Sequence, residues 1–212
     1  MIALLTSCGR FDLLEKTIES LFINQHYILD YHKEIRLYIN EDSLNSDDKI
    51  SDFIEKGPMQ VWHGNYKFIR TNGIGQHASI EEFIKNRSEK YCLFLEDDWL
   101  FDNSYDWVGE SIKIMERDHS IIKVLARADS PHPCIHDKEG YGILQPWENN
   151  GITWNGYSWN PGVTRLDLLK QFLPFPKWEQ DLATEIHNAG YKVAELEKGI
   201  YKHIGDGRST HE

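Results

Sequence analysis

One run constrains the fold more than any other. Tyr91-Cys92-Leu93-Phe94-Leu95 is a stretch of five largely apolar residues that stops abruptly at Glu96-Asp97-Asp98, with Trp99 beyond. A short continuous apolar run of this kind reads as a strand buried on both faces. Three adjacent carboxylates at its end repel one another unless a cation or hydrogen-bond donors sit among them, and hard oxygen ligands of this type suit Mg²⁺ or Mn²⁺. A solvated acidic turn would use the same three residues. Position separates the two readings, because ligands in open α/β sheets gather at the carboxyl ends of the strands.

The rest of the chain alternates strand and helix. Ile2 to Thr6 reads as a first buried strand, and Leu13, Leu14, Thr17, Ile18, Leu21 and Phe22 then recur at helical spacing, with Asp12 placed to cap the helix start. A second strand over Ile35 to Ile39 ends at Asn40-Glu41-Asp42-Ser43, and a short helix from about Ser46 to Lys56 is terminated by Gly57-Pro58. Strands around Gln60 to Trp62 and Tyr66 to Arg70 lead to the loop Thr71-Asn72-Gly73-Ile74-Gly75, and a helix from about His77 to Ser88 precedes the carboxylate strand. Beyond it come a helix over Asp106 to Asp118, a strand over Ile121 to Ala126 and a long irregular stretch from Asp129 to Gly156. A strand over Tyr157 to Thr164, a helix over Trp178 to Ala189 and a strand over Tyr191 to Leu196 complete the pattern before Tyr201-Lys202-His203-Ile204-Gly205. This order implies an α/β fold with a central mixed, mostly parallel sheet flanked by helices. No internal repeat or linker divides the 212 residues, so a single domain over 1–212 is expected.

Composition narrows the function. With 34 acidic against 23 basic residues, net −11, the chain lacks the clustered Lys and Arg that a nucleic-acid backbone demands. Cys8, Cys92 and Cys134 are odd in number, far apart and without CxxC spacing, as suits a reducing compartment. The N-terminal apolar run is too short for a signal-peptide core, and no window approaches the roughly 18 apolar residues of a membrane span. A cytoplasmic location is therefore expected, and the sequence is compatible with being one part of a longer polypeptide.

Between Gln145 and Asn160 the aromatics Trp147, Trp154, Tyr157 and Trp159 cluster. The flat faces of sugars pack on indole rings as on other apolar surface, and core packing competes for the same side chains. Thr6-Ser7-Cys8-Gly9-Arg10 follows the first strand and opens the first helix, where backbone N–H groups and a cation can meet a phosphate or a base. Neither GxGxxG nor GxxxxGK[ST] occurs.

In this order the pieces resemble a nucleotide-sugar glycosyltransferase of the GT-A fold, over nearly the whole chain. Glu96-Asp97-Asp98 sits where that superfamily carries its DxD motif, and Trp178-Glu179-Gln180-Asp181-Leu182 with Ala189-Gly190-Tyr191-Lys192-Val193 resembles the family 2 pattern EDxxL…R…AGY. Aligned on Ala189-Gly190-Tyr191, the chain has Glu179 at the family's catalytic Asp, Trp178 at its preceding acid and Glu185 at its usual Arg. The compact chain is also similar to the glycosyltransferase domain of chlorella viruses that acts on capsid protein glycans.

The resemblance implies a UDP-sugar donor, a glycan or glycoprotein acceptor and Mn²⁺ or Mg²⁺ as cofactor. It implies a nucleotide-binding half over about 1–100 and an acceptor-binding half over about 101–212. Asp98 would hold the metal with His203 and Glu96, and Thr6, Arg10, Asp42, Gly75, Gln76, Glu96 and Asp97 would line the donor site. Glu179 or Asp181 would be the base, and Trp154, Trp159 and Asn160 would contact the acceptor. Asp97, next along an alternating backbone, could instead point into the core. Two other classes use similar residues: a sugar nucleotidyltransferase of related fold, whose Gly-rich opening is missing here, and a calcium-dependent lectin, which leaves Arg10 and the βα opening unexplained.

Overall fold

The computed structural model describes residues 1–24, 35–44, 50, 52–53, 66–102, 105–128, 130, 132–136, 139–149 and 151–207. The first half runs β1 (Ile2–Ser7), α1 (Phe11–Asn24), β2 (Arg36–Glu41), β3 (Tyr66–Arg70), α2 (Gln76–Lys85), β4 (Tyr91–Glu96) and β5 (Trp99–Phe101). The second runs α3 (Trp107–Arg117), β6 (Ile121–Leu125), β7 (Cys134–His136), β8 (Tyr141–Leu144), β9 (Trp147–Asn149), β10 (Ile152–Trp154), β11 (Gly162–Arg165), α4 (Leu166–Leu169), α5 (Glu179–Asn188), β12 (Lys192–Leu196) and β13 (Tyr201–His203).

A nine-stranded sheet of order β3-β2-β1-β4-β11-β6-β12-β8-β7 spans these elements. β11 and β8 run against the other seven strands, so the sheet is mixed and mostly of one direction, as the alternation of strands and helices implies. Its two faces are both covered. Ala3 and Leu5 of β1 pack with Leu14, Ile18 and Leu21 of α1 and with Ile114 of α3 on one side. Ile2 and Leu4 pack with Ile80 and Ile84 of α2 and with Leu182 and Ile186 of α5 on the other. The period-two alternation of strand side chains thus feeds two apolar layers, which is why β1 and β4 read as unbroken apolar runs.

Topology places the site. From β1 the chain steps to β2 and β3 on one side, then returns to β4 on the other. Crevices at such a reversal, at the carboxyl ends of the strands, are where open α/β sheets bind ligands. Here Thr6 lies in register with both Asn40 and Glu96, so three strand ends finish side by side. The small pair β5 and β13 brings the C-terminal segment to the same place, with Trp99 opposite His203.

Several expectations shift in detail. Asp12 is the second residue of α1 rather than its cap, with its charge at the helix's positive end. Asp106 does cap its helix, accepting from Gly109 N at 2.9 Å. The strand expected over Tyr157 to Thr164 is only Gly162–Arg165; Tyr157 to Pro161 has no ladder partners and drives two aromatic side chains into the core. The stretch from Asp129 to Gly156, expected to be irregular, carries β7 and β8 at the sheet edge and the separate hairpin of β9 and β10. Strands of three or four residues broken by Pro, Gly and His give too little alternation to be read from sequence. The expected strand at Gln60 to Trp62 and nearly all of the helix at Ser46 to Lys56 lie outside the described residues. Among the described residues no helix is long and apolar enough to cross a membrane.

Candidate active site

A cleft of about 930 Å³ opens over the ends of β1, β2 and β4. Its walls include Thr6, Arg10, Asp42, Gly75, Gln76, Glu96, Asp97 and Asp98 from the first half and Asn160, Glu179 and His203 from the second.

The three carboxylates of the strand end have three different surroundings. Asp97 is completely buried and accepts from Ser7 Oγ at 3.1 Å, Cys8 N at 3.3 Å and Arg10 Nε at 3.3 Å, with a second Arg10 nitrogen on its other oxygen. Burial pushes its pKa up to about 6 against the pull of Arg10. Asp97 is thus turned to Ser7, Cys8 and Arg10 in the cleft wall, and its work is to anchor the arginine and the first turn after β1.

Asp98, 7% exposed, accepts from Arg10 Nη1 at 2.8 Å through Oδ2, and His203 Nε2 lies 3.2 Å from that same oxygen. Burial works against the Arg10 charge, but Asp97 and Asp98 outweigh it and the guanidinium pKa is raised. Glu96 accepts from Gln76 Nε2 at 2.8 Å and from Trp99 Nε1 at 3.0 Å, so both its oxygens are engaged. Burial, then the charge of Asp98, raises its pKa.

His203 is held from both ends. Its Nδ1 is 2.8 Å from Asp206 Oδ1 and its ring packs 5.0 Å from that of Trp99. An imidazole whose second nitrogen is bonded to a carboxylate is oriented as metal-binding histidines are. Gly205 lets the tail pass close by, since a Cβ there would fall 2.4 Å from Asp98 Oδ2.

Asp42 has a structural task. It accepts from Thr71 Oγ1 at 2.6 Å and from the backbone nitrogens of Gly73, Ile74 and Gly75 at 3.1, 3.0 and 2.7 Å. The loop folds onto this one carboxylate, and Gly75 at φ +91° makes the turn into α2 that an L side chain would strain. Thr6 donates to Leu95 O at 3.4 Å, tying β1 to β4 beneath the cleft.

The residues expected on the acceptor side separate. Glu179 begins α5, half-buried in the cleft wall, and its Oε1 accepts from Trp159 N. Burial pushes its pKa up to about 7; Glu96 adds to the rise, while the Trp159 N–H and Lys123 oppose it. Asn160 lines the cleft. Trp159 corrects its expected role as a sugar platform: at 2% exposure its indole is core, donating to His77 Nε2 at 3.0 Å and packing on Phe94, Tyr157 and Phe175. With aromatic rings packed around it and its N–H bonded to His77, the indole has no free face for a sugar. Trp154, in the hairpin of β9 and β10, is not in the cleft wall, and Asp181 is exposed and also outside it.

Two features escaped the sequence reading. Arg10 was expected against the nucleotide, yet it bridges two acids 87 and 88 positions away, a pairing that no local pattern encodes. Lys123 is fully buried in β6 and donates to Ser158 O at 2.6 Å. A signal for it existed: a lone lysine inside Ile121-Ile122-Lys123-Val124-Leu125 breaks an otherwise apolar strand.

As a metal site, the pair Asp98 and His203 fits a divalent ion in chemistry and convergence: one carboxylate oxygen and one imidazole nitrogen meet in an open cleft. No group of three His, Cys, Asp or Glu side chains gathers for a metal among the described residues.

No family model and no curated protein sequence matches the chain. Solved structures do. The mannosyltransferase PcManGT from Pyrobaculum calidifontis, in complex with GDP-Man and Mn²⁺, superposes with a TM-score of 0.66 at 12% identity, covering 99% of this chain and 58% of that one. S. aureus TarS 1-349 gives 0.59 at 15% identity over 96% of this chain and 60% of that one. GalNAc-T7 with UDP, GalNAc and Mn²⁺ gives 0.62 at 11% identity over 96% and 43%. The chain thus spans at most about three-fifths of the length of these structures. At such low identity it is the architecture that the likeness establishes: this chain has the GT-A glycosyltransferase fold.

Proposed function

We propose that this chain is a glycosyltransferase that moves a sugar from a UDP-sugar donor to a hydroxyl of a glycan or glycoprotein acceptor, with Mn²⁺ or Mg²⁺ as cofactor. One observation carries the reading: Asp98 and His203, 105 positions apart, meet at 3.2 Å in the same cleft as the raised-pKa carboxylate of Glu179. The neighbours support the donor class, since TarS was solved with UDP and with UDP-GlcNAc and the mannosyltransferase with GDP-Man and Mn²⁺.

In this reading the first hundred residues hold the nucleotide and the remainder the acceptor, within a single domain. Asp98 and His203 would hold the ion, which when bound supplies charge stabilisation for the departing diphosphate. Glu96 is occupied by Gln76 and Trp99 and shapes the donor wall with Gln76, Thr6 and Gly75. Arg10 brings a positive charge to the phosphate side, held in place by Asp97 and Asp98. Asp42 keeps the loop at Gly73 to Gly75 close to the nucleotide.

Asn160 contacts the acceptor. Glu179 takes the proton from the acceptor hydroxyl, and a carboxyl with a pKa of about 7 is well matched to that task near neutrality. Direct attack activated by such a base inverts the anomeric centre. The likeness to the chlorella-virus domain would make the acceptor a capsid-protein glycan.

A screen of UDP-sugars with Mn²⁺, read by release of UDP, tests this. At least one donor should turn over, and Asp98→Ala should stop it. Pyrophosphate release from a nucleoside triphosphate and a sugar phosphate would replace the reading with a nucleotidyltransferase; Ca²⁺-dependent binding of free sugar with no turnover would replace it with a lectin.

A further inference from the structure

A buried lysine lies behind the cleft wall. Lys123 is 0% exposed in the middle of β6, and the one hydrogen bond of its side chain among the described residues goes to the carbonyl oxygen of Ser158, at 2.6 Å. The N–H of that same peptide group belongs to Trp159 and donates to Glu179 Oε1. A single amide thus receives an ammonium at one end and presents its proton to the carboxylate at the other.

The amide cannot easily turn. The Trp159 indole is fixed by His77 and lies edge-on to Tyr157. The lysine stem is channelled: its Nζ sits 5.5 and 5.3 Å over the Phe94 and Tyr157 rings, and a Cβ at Gly162 would come within 2.8 Å of its Cε.

Packing alone does not account for a lysine there. Burying an ammonium is costly unless it is paired, and an apolar side chain of similar length would fill the space without that cost. No salt bridge among the described residues includes Lys123. A cation at a carbonyl oxygen polarises the amide and strengthens the hydrogen bond given by its N–H.

We infer that Lys123 is a positioning residue, which acts through the Ser158–Trp159 peptide to hold Glu179 ionised and aimed into the cleft. The inference rests on the reading of Glu179 as the base. The charged and titratable groups facing the pair are Glu96 from β4, Cys92 from the same strand and Tyr157 from the loop. Burial lowers the Lys123 pKa to about 8, and Glu96 and Glu179 pull it back up, so the ammonium form prevails at neutral pH.

Lys123→Met is the test. Transfer at pH 7 should fall about fivefold, with KM for the donor and Kd for UDP unchanged, and the acid limb of the kcat profile should move up by about one pH unit as Glu179 loses its cation. The melting temperature should hold or rise, because a buried charge is gone. In the Glu179→Gln background the same substitution should cost nothing further.

A titration of the Glu179 carboxyl by ¹³C NMR provides a readout that needs no turnover: its pKa should be higher in Lys123→Met than in the parent. If no UDP-sugar turns over in any variant, the transferase reading fails while this titration still decides the coupling. Should Lys123→Met not fold, the reciprocal measurement stands, namely a lower Lys123 pKa in Glu179→Gln than in the parent. An unmoved Glu179 titration with an unmoved pH profile, or a lower melting temperature as the sole effect, would overturn the inference.

Discussion

Asp97 and Glu179 are both carboxylates withdrawn from water in one cleft, and burial raises the pKa of both. Their partners differ. Asp97 has a guanidinium against it together with a hydroxyl and a backbone N–H, whereas Glu179 has one backbone N–H and a lysine one peptide away. Desolvation alone does not make a base. With a cation in contact, the acid at about 6 stays charged at neutral pH and serves as an anchor; without one, the acid at about 7 is poised to exchange a proton there.

The greatest loss of activity is expected at Glu179. Glu179→Gln should keep UDP binding and lose about 10²- to 10⁴-fold in transfer, the usual share of general base catalysis. Single-turnover rates beside calorimetric affinities would show whether the loss lies in chemistry alone.

On the other side, Asp97→Ala should act on the fold. It removes one of the two carboxylates held against a mostly buried Arg10 and takes the Asp97 oxygen away from the Ser7 hydroxyl and the Cys8 N–H. Breaking a buried pair in this way costs about 3 kcal/mol, measurable by denaturant unfolding.

A smaller effect has the opposite sign. Glu179 ionises near 7 in the folded protein and near 4.5 unfolded, so in that window the folded state binds the extra proton and the parent loses stability as pH rises. Glu179→Gln lacks this loss. It should gain on the parent between about pH 4.5 and 7 and then level off, by about 1–2 kcal/mol once solvent screening of a half-buried group is allowed for. Melting curves across that range would check it. The smallest effect is Asp181→Asn: exposed and outside the cleft, it should change transfer by less than about twofold.

The sequence carried the parts of the fold whose physics is local. β1 and β4 were legible because a strand covered on both faces must be apolar throughout, and α3 because Asp106 and its apolar face mark start and orientation. Long-range choices were not. Nothing near Arg10 says that it will bridge Asp97 and Asp98, and nothing near Trp159 distinguishes a core indole from a sugar platform. The hairpins of β7 to β10 were hidden by their shortness. Lys123 stood in plain view as a polar break in an apolar strand, but its meaning depends on a peptide 35 positions away.

Calorimetry of UDP with the parent protein, in Mn²⁺ and again in excess chelator, asks whether a metal joins the nucleotide to the cleft. A chain of net charge −11 with acids lining the cleft should repel a diphosphate, so appreciable binding should require the metal that Asp98 and His203 would hold. Equal affinity in chelator would contradict the account.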